Sequence, residues 1–135
     1  DGRIVLIDCG TVKIIGNIQS ENLALEHQEN NIETYSVGYA PTEQIAGTPQ
    51  LNTDIYALGI VAIQAFTGVD PKNYRRDNNS IVLVPNKSQN NGLQIWRNQV
   101  QVSEKLADII DRMVERESAD RYKSVAEVLK ILQGL

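Results

Sequence analysis

A chain of 135 residues has room for one modest domain and not for two. Its 41% hydrophobic and 22% charged content is that of an ordinary globular protein, and a net charge of −4 without any block of Lys or Arg argues against nucleic acid or an anionic membrane as a partner. Only 5% of residues are aromatic, so the core must be aliphatic, and the single Cys9 excludes an internal disulfide and fits a reducing compartment.

In chain order, residues 3–7 read Arg-Ile-Val-Leu-Ile, a β-branched run suited to a buried strand. Residues 11–15, Thr-Val-Lys-Ile-Ile, follow after a turn at Asp8-Cys9-Gly10 and predict the second strand of a short N-terminal β-hairpin. Residues 16–33 are polar and aperiodic and predict a long, mobile loop that buries too little to offset its ordering entropy. Residues 54–67 are apolar almost all round, as expected of a central, buried helix, with Asn52 or Thr53 as its cap and Gly68 as its stop. The same stretch is too short to cross a bilayer, which takes about 20 residues. With no signal-peptide pattern at the start, the expectation is a cytoplasmic segment, a membrane anchor elsewhere in a longer parent being left open.

Residues 70–91 read as loop, dense in Asn, with a short apolar run at 81–84. Ser103 is the predicted cap of a helix whose face carries Leu106, Ile109, Ile110, Met113 and Val114. Ser124 caps the last helix, where Ser124-x-x-Glu127 is a capping box and Val125, Val128, Leu129 and Leu132 form an apolar stripe. The fold expected is mainly α with a short N-terminal hairpin. His27 lies in a polar stretch and is the only histidine, so Glu26-His27 has no second His for a zinc site. Trp96 reads as a core anchor.

Five features in fixed order resemble the protein kinase family, from residue 4 to the C-terminus. Leu6-Ile7-Asp8-Cys9-Gly10 resembles the strand and metal-binding Asp-Phe-Gly motif, with Cys9 in place of the Phe. Tyr35-Ser36-Val37-Gly38-Tyr39-Ala40-Pro41-Thr42-Glu43-Gln44 resembles the Gly-Thr-x-x-Tyr-x-Ala-Pro-Glu end of an activation segment, with the Pro one position early, as in bacterial and especially cyanobacterial members. Asp54-Ile55-Tyr56-Ala57-Leu58-Gly59 resembles the Asp-x-Tyr-x-x-Gly opening of the family's central helix. Thr67-Gly68-Val69-Asp70-Pro71 matches the Thr-Gly-x-x-Pro after that helix. Asp120-Arg121-Tyr122, before Ser124, resembles the family's Pro-x-x-Arg-Tyr-x-Ser.

The resemblance implies an incomplete C-terminal lobe of a bacterial, eukaryotic-type serine/threonine kinase, with the activation segment at about 8–43 and the lobe's helices at 52–135. It implies transfer of the ATP γ-phosphoryl group to Ser or Thr of a protein substrate by the complete kinase. In that enzyme Asp8 would bind Mg²⁺ and Ser36, Gly38 and Tyr39 would shape the substrate site. Glu43, Asp54 and Arg121 would be structural supports, Glu43 pairing with Arg121, and Thr34 and Ser36 are candidate phosphorylation sites. The sequence holds no glycine-rich loop, no strand Lys with its helix Glu and no catalytic-loop Asp and Asn. The 135 residues alone are therefore expected to bind neither Mg²⁺ nor ATP and to be inactive. They are also expected to self-associate or exchange an element such as the 3–15 hairpin, because two one-sided helices cannot cover an all-apolar one. The alternative is a pseudokinase scaffold or regulatory module, which Cys9 and Thr42 favour and the retained Asp8 disfavours.

Overall fold

The computed structural model describes residues 38–78, 80–84 and 94–135. The expected hairpin at 3–15 and the loop at 16–33 lie outside the described residues, as do Asp8, Thr34 and Ser36. Among the described residues helix predominates, in the order α1 (Thr42–Ile45), α2 (Thr53–Thr67), β1 (Tyr74–Asp77), β2 (Ser80–Leu83), β3 (Gln94–Ile95), α3 (Glu104–Met113) and α4 (Val125–Gln133).

The sheet corrects the reading of 70–91 as loop. Three short antiparallel strands stand in the order β1-β2-β3, with Tyr74 opposite Leu83 and Val82 opposite Ile95. Asn78 turns the β1–β2 hairpin at φ +52, a left-handed conformation that Asn tolerates better than most residues. Thr67 ends α2, and Gly68 at φ +69 caps it by donating its N–H to the Gln64 carbonyl, as expected of a helix-stop glycine. Asp70 then accepts from the Lys72 N–H at 2.9 Å and opens a 3₁₀ turn at Pro71–Asn73 that leads into β1.

The core forms where the sheet packs on the α2–α3 pair. Ile60, Ile63, Tyr74, Ile81, Leu83, Trp96, Ala107, Ile110 and Val114 make one buried cluster, and Ile55, Ile109, Met113, Tyr122 and Val128 a second beneath it. Trp96 is fully buried, as expected of a core anchor, and its Nε1 donates to Asp111 Oδ1 at 2.6 Å. Gly59 lets α2 and α3 meet, since a Cβ there would lie 2.6 Å from Val114 Cγ1. The predicted face of α3 is the one that packs, and Ser103 caps it by accepting from the Leu106 N–H at 3.3 Å. Ser124 accepts from the Glu127 N–H at 3.2 Å, while Glu127 Oε2 reaches back to the Lys123 N–H at 2.8 Å, one residue earlier than the usual capping-box target.

Three expectations change in detail. The helix α2 is buried on one side only: Ile55, Ile60 and Ile63 are inside, while Leu58, Val61 and Phe66 are each about half exposed, at 50%, 46% and 45%. The reason is that α3 and the sheet pack on a single side of it. In α4 only Val128 of the apolar stripe is buried, because the helix meets the second cluster through that one residue. Neither capping candidate of α2 caps it through its side chain: Asn52, at the cap position, spends its Nδ2 on the Ser118 and Tyr122 carbonyls at 2.7 and 3.1 Å. No helix among the described residues is long and apolar enough to cross a membrane.

Candidate functional site

Residues 38–53 form a strap that runs from Pro71 and Gln64, near the C-terminal end of α2, to Thr53 at its start and Arg121 in the segment after α3. Its first anchor is Gly38, whose φ of +92 and close approach to Pro71 leave no space for a side chain: an added Cβ would sit 2.8 Å from the proline's backbone carbon. Next, the Tyr39 hydroxyl donates to Gln64 Oε1 of α2 at 2.5 Å. Pro41 is buried and starts α1, its carbonyl accepting the N–H groups of Gln44 and Ile45, both at 3.1 Å.

The second anchor is ionic. Glu43 on α1 meets Arg121, 78 positions along the chain, in a two-pronged pair: Nη1 donates to Oε1, and Nη2 to Oε2 at 3.1 Å. The guanidinium is fully buried and spends two further donors on main-chain carbonyls, Nε on Glu115 at 2.7 Å and Nη2 on Arg116 at 2.8 Å. Its carbon lies 5.0 Å from the Tyr56 ring centre, within cation–π range. Thr53 adds a hydroxyl to Glu43 Oε1 at 3.2 Å and accepts the Gln50 N–H at 2.8 Å. Burial alone would raise the Glu43 carboxyl, but the Arg121 hydrogen bond and charge, with help from Thr53, outweigh it and hold the group below the ordinary carboxylate range.

Of the residues singled out by sequence, the structure thus joins Glu43 to Arg121 and brings Gly38 against Pro71. Tyr39, within the same strap, stands on Gln64. Asp54 lies exposed in the first turn of α2, where a carboxylate suits the helix dipole, and its side chain meets no donor among the described residues. Gln64 was not anticipated, and Asn52 and Thr53 were expected only as caps of α2, not as anchors of the strap. Asn52 ties the strap to the loop bearing Arg121, and its only sequence signal is a polar residue directly before an apolar helix. No group of His, Cys, Asp and Glu able to hold a metal occurs among the described residues. The arrangement fixes one polypeptide segment in a defined path over a helix.

No protein-family model and no solved structure matches the chain. Curated relatives do. It is 35% identical over 134 residues, 98% of its length, to serine/threonine-protein kinase B of Synechocystis sp.. It is 32% identical over 137 residues, 98% of its length, to serine/threonine-protein kinase PknA of Nostoc sp., and 34% identical over 99% of its length to serine/threonine-protein kinase F of Synechocystis sp.. The chain spans 21%, 22% and 24% of these three relatives, respectively.

Proposed function

We propose that this chain, a relative of cyanobacterial serine/threonine-protein kinases over nearly its whole length, is the C-terminal part of a kinase catalytic domain whose complete form phosphorylates Ser or Thr in proteins. The observation that carries the reading is the buried, two-pronged Glu43–Arg121 pair. The resemblance named these two residues as partners, and spacing alone could not. Within such an enzyme the strap at 38–53 would give the substrate segment a rigid floor, with Gly38 and Tyr39 shaping it and Glu43, Asp54 and Arg121 as supports. Phosphoryl transfer depends on positioning and electrostatics, so a fixed floor is the contribution this part of the chain would make. Asp8 would hold Mg²⁺, which with ATP supplies the charge neutralisation and the phosphoryl group; Thr34 and Ser36 would be phosphorylation sites.

Radiolabelled ATP and a generic protein substrate test the proposal. The full-length parent is expected to label Ser or Thr and to fall to background with Asp8→Asn, while the 135 residues alone give no turnover. A full-length parent without turnover would sink the enzyme reading and leave the scaffold.

The half-exposed row Leu58, Val61 and Phe66 on α2 supports self-association of the chain when it stands alone. Sedimentation velocity at micromolar concentration is expected to show dimers or larger species that dissociate with Val61→Lys. A strictly monomeric chain would rule this out.

A further inference from the structure

We propose that Arg75 locks the outer edge of the three-stranded sheet against strand addition, so that a second copy of this chain cannot pair with β1. The order β1-β2-β3 leaves β1 on the outside, with β2 as its only ladder partner among the described residues. An outer strand presents a row of main-chain donors and acceptors and is a template for a strand of another molecule. Identical chains carry identical edges, so the strand such an edge meets first is that of its own copy.

The main-chain groups where this edge begins are already used. The Val84 N–H donates to the Asn73 carbonyl at 3.0 Å, which faces Asn73 toward the strand beside it. Main-chain groups alternate along an antiparallel strand, so those of Tyr74, the next residue, point away from β2 while its ring enters the core. The Tyr74 N–H nevertheless has a partner, the Pro71 carbonyl that closes the 3₁₀ turn. The Tyr74 carbonyl accepts from Arg75 Nη1 at 2.8 Å, and the same nitrogen donates its other hydrogen to the Lys72 carbonyl at 3.2 Å. Lys72 and Asn73 give their N–H groups to Asp70, one to its side chain at 2.9 Å and one to its carbonyl at 2.8 Å. Pro71 has no N–H to give. From Pro71 to Tyr74 every main-chain donor and acceptor thus has a partner within the chain, and an incoming strand finds none to pair with.

Arg75 is the removable part of this closure. The turn bonds come from main chain and from Asp70, whereas the Lys72 and Tyr74 carbonyls depend on one exposed side chain. Without it, water takes both carbonyls in an isolated molecule, and the N–H groups of an approaching strand take them in a concentrated solution. The lock is separate from the exposed row on α2, whose association buries helix surface and builds no intermolecular strand. It does not depend on the kinase reading either, because it concerns the sheet alone.

The test follows thioflavin T fluorescence and the infrared band of intermolecular β-sheet in concentrated solutions of the chain and its variants, each checked for folding by a thermal scan. Both signals are expected to appear about tenfold faster with Arg75→Ala than with the unaltered chain, the effect of one or two main-chain hydrogen bonds gained per contact. The melting temperature is expected to stay nearly unchanged, as is usual for an exposed side chain. Lys72→Ala removes an equal charge from the same edge and uncovers no carbonyl, so its rate is expected to lie within about twofold of the unaltered chain. Arg75→Lys keeps the charge but not the fork and is expected to fall between the unaltered chain and Arg75→Ala. Equal rates for Arg75→Ala and Lys72→Ala would mean that charge alone guards the edge, and an Arg75→Ala chain no faster than the unaltered one would mean that the edge is closed without Arg75; either result overturns the proposal. If Arg75→Ala does not fold, Arg75→Lys at the rate of the unaltered chain overturns it instead.

Discussion

Replacing Arg121 with alanine is expected to lower stability by about 3–5 kcal/mol, the range for breaking a buried ion pair, and the melting temperature by roughly 10–18 °C. The cost is not the value of the pair in isolation. The substitution strips hydrogen bonds from the Glu43 carboxylate and from the Glu115 and Arg116 carbonyls at once, and leaves Glu43, whose side chain is only 13% exposed, without its counter-charge. Arg121→Lys should recover only part of the loss. A Lys ammonium keeps the charge but cannot span both carboxylate oxygens and two carbonyls with one planar fork. A thermal scan of both variants checks this, and an unchanged melting temperature for Arg121→Ala would mean that the pair contributes nothing.

The same pair sets an acid limit. Glu43 is held below its unfolded value, which is about 4.3 for a free glutamate. Its contribution is therefore fully present above about pH 4.3 and is lost as pH falls through the lowered folded value. Without Arg121 the raising effect of burial is opposed only by a backbone hydrogen bond and Thr53, so the carboxyl is held down less and the acid-side loss of stability should be shallower in Arg121→Ala than in the parent.

What could be read from sequence divides along range. Ser103 and Ser124 were legible as caps because a cap is a matter of three or four neighbouring residues, and the face of α3 because its period is local. The Glu43–Arg121 pair spans 78 positions, and only the likeness to a family whose members pair these residues pointed to it. The sheet was missed for a physical reason. In β1, Tyr-Arg-Arg-Asp is a mostly polar edge strand with one buried residue, and β3 is two residues long, so neither shows a hydrophobic period. The usable signal was Asn78, a residue that tolerates the left-handed turn, at the end of the first of two four-residue runs. The helix α2 shows the opposite fault. Apolarity all round states what a helix needs covered; it does not state what covers it, and α3 with the sheet cover one side.

The sheet, the feature least visible in sequence, carries the second large effect. Trp96→Ala is expected to cost about 3–5 kcal/mol. The indole is fully buried between β-residues Tyr74, Ile81 and Leu83 and helix residues Ile60, Ile63 and Ile110, so its removal opens a cavity where sheet and helices meet. The strands cannot collapse into that space freely, because β2 is held on both edges by its ladder partners. A polar part adds to the loss: Nε1 hydrogen-bonds Asp111, which also receives Arg97 at 3.0 Å. Trp96→Phe separates the two contributions. It keeps most of the apolar volume and removes only the N–H, and Asp111 keeps Arg97 as a partner, so the expected loss is about 1–2 kcal/mol. Denaturant unfolding of the two variants gives the comparison. Equal losses for Ala and Phe would mean that the hydrogen bond, not the packing, dominates, and no loss for Ala would mean that the sheet is not docked on α2 and α3 through this residue.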